Sequence, residues 1–432
     1  MTVDLTVTGG LVLDGDRARP ADLVIDGGRI TAVVPPGEAP VAHRSIEADG
    51  LHLLPGLVDA HVHFDDPGRA DWEGWPSGSL AAAAGGVTTV VDMPIDSDPP
   101  VVDADSFRAK LAAASAGSLV DFGLWAGLVP GSLPQLDAMA DLGAVGYKAF
   151  ACDSGWESFP PADAVTLKGG MASAAPRDLV VALHAEDPAV LADDPSRPAR
   201  AEVVSVEWAA RLAAGTGSRL HIVHVSAAAA LEEASRWPGV TTETCPHYLV
   251  LDDADVTALG ALAVVTPPIR DAANRDRLWR AMEDGRVTSI ASDHSPCPPS
   301  LKEGDRPFAG IAGVETGLSV LLATGRLPLL RLVGLMTAAA PLLRLPGKGS
   351  LAPGSDADIV LFDPDAEWCL EPGALHSRHR LTPYAGRRMT GRVHQTLVRG
   401  QTVFADGEAA SDPFGAQVRP APDPRRSPGL DQ

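Results

Sequence analysis

The sequence predicts an α/β protein in which a (β/α)8 TIM-like barrel carries a small β-sandwich domain built from both chain ends. Two observations predict this architecture: short apolar runs alternate with Ala- and Leu-rich helical stretches through the middle of the chain, and short strands with tight turns occupy both ends. A doubly wound sheet is the alternative, but no G-x-G-x-x-G motif opens a helix after the first central strand.

Changes in predicted secondary structure and composition divide the chain into four parts. We expect residues 1–54 to form the N-terminal part of the β-sandwich domain, 55–344 the barrel, and 345–412 the C-terminal part of the β-sandwich domain. Residues 413–432 are rich in Pro, Arg and Asp, a composition that predicts a flexible tail.

The strands of the first part are short, and Leu23–Ile30 reads as a hairpin around Gly27-Gly28. A β-unit of about 50 residues is too small to be stable without docking. The runs at 359–362 and 396–404 are again strand-like, so the two ends can complete one domain between them.

Nine apolar runs in the middle of the chain are candidate barrel strands, one more than the barrel needs, so one is surplus or belongs to a split strand. The runs are 57–63, 86–93, 120–128, 144–150, 179–184, 220–225, 241–245, 261–266 and 288–292. Among the helices predicted between them are 77–84, 103–114, 204–214 and 275–284.

Composition excludes several classes of partner. The chain has 432 residues and a formal net charge of −21, which disfavours nucleic acid and anionic membranes. No run reaches the roughly 18 apolar residues of a membrane helix, and the N-terminus lacks a basic region that would indicate a signal peptide. Four scattered cysteines without a C-x-x-C pair indicate a reducing cytoplasm.

The chemistry-bearing residues lie at the predicted strand ends. His61 and His63 are two residues apart on one strand, so both imidazoles face the same side, where neutral nitrogens bind zinc or related ions. In a barrel the carboxyl ends of all strands meet at one rim. The other candidates at this rim are Lys148, His184, His224 and Asp293.

Lys148 is unusual because only five of the 35 basic residues are lysines. A protonated amine beside two divalent cations is repelled, so it must be neutral, absent from the site or chemically changed. Reaction with CO2 makes a carbamate, an anion with two oxygens suited to bridging metals ~3.5–4 Å apart.

Long stretches of the chain resemble the amidohydrolase superfamily. They are 55–63, 66–69, 72–75, 81–89, 243–248, 267–270, 292–299 and 310–315. Within the superfamily the chain is similar to the cyclic amidohydrolases, which are hydantoinases, dihydroorotases and allantoinases, and it resembles the allantoinases most over nearly its whole length.

This resemblance implies a site with two divalent metal ions whose ligands are His61, His63, Lys148, His184, His224 and Asp293. The first two histidines and the aspartate hold the inner metal, and the other two histidines hold the outer metal. Carboxylated Lys148 bridges them together with a hydroxide, and Asp293 acts as general base and then general acid. Zinc is expected first, while manganese, cobalt and iron suit the same ligands. The resemblance also implies a homotetramer.

The implied reaction is ring opening of a cyclic amide, allantoin to allantoate, in purine catabolism. Dihydroorotases place Arg after the second histidine, where this chain has Phe64, and Asn where it has Asp96, which would repel a carboxylate substrate. We expect Asp96, Thr266 and Gly313 to contact a small cyclic ureide, with Asp96 accepting from its ureido N–H groups.

Two departures from the allantoinases bear on specificity. They usually carry Asn at the position of Asp96, and the interval from His184 to His224 is shorter than their usual span, which predicts a trimmed lid or interface loop. A broad-specificity hydantoinase is the alternative function. A non-catalytic scaffold of the same fold is a remote one, since such members have lost metal ligands and all six are present here.

Overall fold

A computed structural model describes residues 2–14, 17–409 and 411–422. The strands in this part of the chain are β1 Val3–Thr8, β2 Leu11–Asp14, β3 Arg17–Pro20, β4 Asp22–Asp26, β5 Arg29–Val34, β6 Ala42–Glu47, β7 His52–Pro55, β8 Leu57–Val62, β9 Val87–Asp92, β10 Asp121–Leu124, β11 Ala126–Gly127, β12 Gly146–Phe150, β13 Val180–His184, β14 Arg219–Ile222, β15 Val240–Thr244, β16 Ser289–Ile290, β17 Ile359–Cys369, β18 Arg388–Val398, β19 Gln401–Ala405 and β20 Glu408–Ala409.

The α-helices described are α1 Trp75–Ala84, α2 Ala104–Gly117, α3 Leu136–Asp141, α4 Ala164–Ala174, α5 Pro188–Asp193, α6 Ala199–Thr216, α7 Ala228–Ala234, α8 Pro246–Val250, α9 Asp253–Leu259, α10 Ala272–Glu283, α11 Gly317–Leu322, α12 Leu329–Thr337 and α13 Ala339–Leu342. Within the described ranges no helix combines the length and apolar character needed to cross a lipid bilayer.

The helix ends follow from local sequence. Asp103 caps α2 by accepting from the backbone N–H groups of Asp105 and Ser106, and the Ser106 hydroxyl completes a capping box. Gly217, with a φ of 68°, ends α6 in the left-handed conformation that glycine adopts without strain.

Parallel strands in the middle of the chain pair in chain order. One sheet has the order β10-β9-β8 and another runs β11-β12-β13-β14-β15-β16. The N–H of Val145, next to β12, donates to Leu124 O of β10 at 3.0 Å and links the two sheets on one side. On the other side, the His63 N–H donates to His294 O at 2.7 Å, beside a parallel bridge between Val62 and His294.

The alternation of strands and helices predicted from sequence is confirmed, with two refinements. The run at 120–128 is split, since Trp125 separates β10 from β11. The predicted strand at 261–266 is wrong: it contains a 3-10 turn at Gly260–Ala263 and a loop. Its apolar residues pack into the core from outside the sheets, with Ala263 and Val265 buried.

Both chain ends contribute to two further sheets. Residues 3–47 supply a four-stranded sheet of order β5-β4-β1-β6, and a seven-stranded sheet of order β20-β19-β18-β17-β7-β2-β3 takes strands from both ends. The two sheets enclose one hydrophobic cluster, to which Leu5, Ile25 and Leu397 belong. The hairpin predicted at 23–30 is present as β4 and β5, with Gly27 and Gly28 at φ values of 58° and 74°.

The predicted flexible tail at 413–432 is wrong for its described part. The N–H of Phe414 donates to Ser118 O at 3.0 Å, and the N–H of Val418 donates to Phe122 O at 2.8 Å. Composition suggested disorder, but this segment meets acceptors at the start of β10 that satisfy its backbone. Residues 423–432 lie outside the described residues.

Candidate metal centre

Four imidazoles follow one another at the carboxyl ends of the parallel strands. Their order is His63, His61, His224 and His184, with ring centroids separated by 5.5, 5.3 and 4.6 Å in turn. The first two come from β8 and its end, His224 follows β14, and His184 ends β13. All four are buried, so the sequence prediction of converging histidines agrees with their placement.

Asp293 joins His61 and His63. Its Oδ1 lies 3.2 Å from His61 Nε2 and 3.4 Å from His63 Nε2. Burial raises the pKa of this carboxyl, but the nearby His61, His63 and His224 lower it well below its usual range. Asp293 and His224 both adopt positive φ values, 49° and 40°, a strained backbone that commonly marks functional sites.

His184 and His224 form the second half of the cluster. His184 Nδ1 lies 2.9 Å from His224 Nε2, so the two rings turn one nitrogen each toward a common point. Burial, followed by the neighbouring His184 and Lys148, lowers the pKa of His224 well below its usual range. The lone pair of its imidazole is therefore available to a cation at neutral pH.

Lys148 lies at the same rim on β12, and its side chain is completely buried. Its Nζ has no hydrogen-bond partner among the described residues and lies 4.7 Å from the Phe150 ring centroid. Burial lowers the pKa of Lys148 to about 8, with Asp293 and Glu243 opposing the shift. An unpaired, buried amine of this kind is costly unless something else satisfies it.

Carboxylates behind the histidines fix their orientation. Glu243 Oε1 lies 2.9 Å from His61 Nδ1, and Glu186 Oε2 lies 2.7 Å from His184 Nε2. Neither residue has a role predicted from the sequence. Glu243 could have been found as an acid near the end of β15, a strand that otherwise supplied no group to the rim. Glu186 follows its strand by two residues and carried no comparable signal.

A cavity of about 990 Å3 opens onto the cluster. Asp96 and Thr266 line it, in agreement with the positions expected for substrate contacts, and Asp96 Oδ2 lies 2.6 Å from His63 Nδ1. The expectation for Gly313 is not met. It does not line the cavity, and its N–H donates to His294 Nδ1 at 3.2 Å.

Residues 52–403 match the model of the amidohydrolase family. The chain belongs to the amidohydrolase family. Among its curated relatives are the allantoinases of Solibacter usitatus, 43% identical with 96% of this chain and 97% of the relative covered, and of Rubrobacter xylanophilus, 43% identical with 96% and 98% covered.

Solved structures of similar proteins agree with this assignment. This amidohydrolase superposes on the L-hydantoinase (dihydropyrimidinase) from Arthrobacter aurescens with a TM-score of 0.92 at 31% identity, covering 97% of this chain and 100% of that one. The dihydropyrimidinase from Brevibacillus agri gives a TM-score of 0.86 at 28% identity, with 97% and 99% covered. The family predicted from the sequence motifs is confirmed.

Proposed function

We propose that the protein is an allantoinase, which opens the hydantoin ring of allantoin by metal-dependent hydrolysis to give allantoate. The observation that carries the proposal is the rim cluster, in which every ligand type implied by the family is present: the four histidines and Lys148 are buried, and Asp293 is partly buried. Relatives named allantoinase, 43% identical over almost the whole chain, support this ring over others.

The proposed architecture is a closed (β/α)8 barrel at 55–344 with a β-sandwich domain from 1–54 and 345–412. The links across both open sheet edges support closure of the barrel. Because the strands run parallel in chain order, such a barrel collects the catalytic side chains at one rim.

The cluster fits two divalent metal ions. His61, His63 and Asp293 each offer a ligand atom within 4.8 Å of the others and would hold one ion. His184 and His224 would hold the second, and carboxylated Lys148 would bridge the two. Lys148 Nζ is buried without a hydrogen-bond partner among the described residues, which supports this proposal, because a carbamate on that nitrogen would remove the unpaired amine and provide oxygens to bind the metals. Zinc is proposed first, with manganese, cobalt and iron as alternatives.

The metals would supply a hydroxide at neutral pH and polarise the scissile carbonyl. The chain's own contribution is proton transfer at Asp293. Its Oδ1 faces the centre of the cluster, so it is placed to accept a proton from the attacking oxygen and to deliver it to the departing ring nitrogen.

A broad-specificity hydantoinase is the second candidate. It is favoured by the solved hydantoinase structures on which the chain superposes. Asp96 bears on the choice, since a carboxylate in the cavity wall suits a substrate that offers N–H groups and disfavours the carboxylate of dihydroorotate.

Steady-state turnover of the metal-loaded protein on allantoin, dihydroorotate and unsubstituted hydantoin tests the proposal. Preference for allantoin is expected. A higher kcat/KM on plain or aryl hydantoins would replace it with the hydantoinase. Light scattering of the purified protein tests the predicted homotetramer, and fractionation of the producing cells tests the predicted cytoplasmic location.

A further inference from the structure

Asp96 and Arg197 lie beside opposite ends of the imidazole row. Asp96 contacts His63, the first ring in the row, at 2.6 Å. Arg197 contacts Glu186, whose Oε2 lies 2.7 Å from Nε2 of His184, the last ring. Both residues line the same cavity, so a ligand over the row meets an acceptor near one end and a donor near the other.

The guanidinium of Arg197 is held in place before any ligand arrives. Its Nε donates to Glu186 Oε1 at 3.1 Å and its Nη2 donates to Glu186 Oε2, a two-pronged contact that fixes the plane of the group. Nη2 also lies 3.7 Å from Cys152 Sγ. The carbonyl of Arg197 accepts from Arg270 Nη1 at 3.3 Å, and the residue adopts a φ of 58°, so its backbone is also constrained.

One nitrogen of this group remains free. Nη1 has no acceptor among the described residues, whereas Nε and Nη2 are both used, and the side chain is 27% exposed. A preorganised donor without a protein partner in a cavity wall is suited to a ligand acceptor, since little conformational entropy is lost when the bond forms.

Charge identifies the kind of acceptor. The ion pair of Arg197 and the fully buried Glu186 has no net charge, so it does not attract an anion as an unpaired guanidinium would. It can still donate a directed N–H bond to a neutral oxygen. A urea-type carbonyl is such an acceptor, and N–H groups on the ring of a cyclic ureide can meet the carboxylate of Asp96 near the other end of the row.

We propose that Arg197 determines specificity by donating from Nη1 to the carbonyl oxygen of the ureido substituent of the substrate. The inference rests on the proposed function and adds the residue that separates allantoin from hydantoins lacking that substituent. Arg197 acts on the substituent; the ring carbonyl and the proton transfers belong to the metal ligands and Asp293.

The test compares kcat/KM on allantoin and on unsubstituted hydantoin for wild type, Arg197→Gln and Arg197→Lys. The ratio of the two values is the measurement, because any loss transmitted through Glu186 to His184 lowers both rates and cancels. We expect the ratio to fall about 10–100-fold in Arg197→Gln, mainly through KM for allantoin. Arg197→Lys keeps a charged donor but loses the two-pronged geometry of the guanidinium, so its ratio should lie between those of Arg197→Gln and wild type.

Arg200→Gln is the matched control, since Arg200 is exposed on the same segment and does not line the cavity. Metal content and thermal midpoint are measured for each variant. If Arg197→Gln does not fold, a drop of at least about threefold in the ratio for Arg197→Lys supports the proposal and an unchanged ratio overturns it.

Two outcomes would overturn the inference. In the first, both rates fall equally and the ratio is unchanged, which makes Arg197 a positioning residue for His184. In the second, Arg306→Gln lowers the ratio instead, since this exposed arginine also lines the cavity. Failure of the proposed function looks different: wild type itself would then prefer hydantoin to allantoin.

Discussion

Lys148 and Lys348 are both buried lysines, but their surroundings are opposite. Lys348 Nζ contacts three carboxylates: Asp121, Asp358 at 2.9 Å and Asp356 at 3.0 Å. The Nζ of Lys148 has no hydrogen-bond partner in the described part of the chain. Burial disfavours the charged form of both amines, yet the carboxylates raise the pKa of Lys348 while the pKa of Lys148 falls to about 8.

This difference separates a lysine that holds the fold together from one that is available for chemistry. Lys348 is a charged group that joins the start of β10 to the residues leading into β17, and so links the central strands to the sheets of the chain ends. The pKa of Lys148 is lowered to about 8, so its amine is in the neutral form more often than that of an exposed lysine, and the neutral form is the one that would react with CO2. Lysine burial alone therefore says little; the neighbouring charges decide the role.

Replacing Lys148 by Met gives the largest expected effect on activity. If the carbamate is a metal bridge, kcat/KM should fall about 1,000-fold or more, which corresponds to about 4 kcal/mol of transition-state stabilisation. The thermal midpoint should stay the same or rise, because an unpaired polar group leaves the interior. Kinetics, metal content and calorimetry check this, and a fully active variant would remove Lys148 from the site.

Replacing Lys348 by Met should show the reverse pattern. Three buried carboxylates lose their shared cation, so we expect the free energy of unfolding to fall by about 3–5 kcal/mol, while activity per folded molecule is kept. Denaturant unfolding measures the loss. Lys168→Met is the control because that lysine is exposed, and equal stability of the two variants would contradict the structural role assigned to Lys348.

Glu243→Gln tests whether the negative charge of a carboxylate is needed beside the histidines of the candidate metal centre, as it is beside Lys348. Glu243 accepts from His61 Nδ1, and burial opposes its ionisation, but His61 and His221 lower its pKa to about 2. The amide keeps the shape and loses the charge, so we expect activity or metal affinity to fall about 10–100-fold. Unchanged metal affinity and kcat together would refute an orienting role.

His376 and Glu315 form a partly exposed ion pair, and we expect its loss to have the smallest effect on stability. Glu315 raises the pKa of His376 above 6.5, against the opposing effect of burial. The folded state thus binds this proton more tightly than the unfolded state, so the stabilisation is complete below pH 6.5 and is lost as pH rises through the folded pKa. His376→Gln should remove up to about 1 kcal/mol of this pH dependence. Urea unfolding at pH 5.5 and 8.5 measures it, and an identical pH dependence in both proteins would exclude the pair.

Much of this organisation could be predicted from the sequence, because parallel strands fix where their ends meet. Strand periodicity placed His61, His63, Lys148, His184 and His224 at one rim without knowledge of any distance. Features that depend on three-dimensional neighbours were missed. Neither strand nor helix periodicity fixes the pairing of Glu186 with Arg197, the backbone contact that uses the N–H of Gly313, or the docking of residues 413–422.

The link between the ends of the central sheets has a consequence for biosynthesis. Asp59 on the first of these strands accepts from the N–H of Ser292, 233 residues later in the chain, at 3.1 Å. His61 and His63 therefore meet Asp293 only after the last parallel strand has left the ribosome. A chain interrupted anywhere before that point carries five of the six proposed ligands at most. Products truncated before Asp293 would therefore lack a complete ligand set, so the proposed metal centre would form only in chains that extend through the last parallel strand and bring its end back to β8.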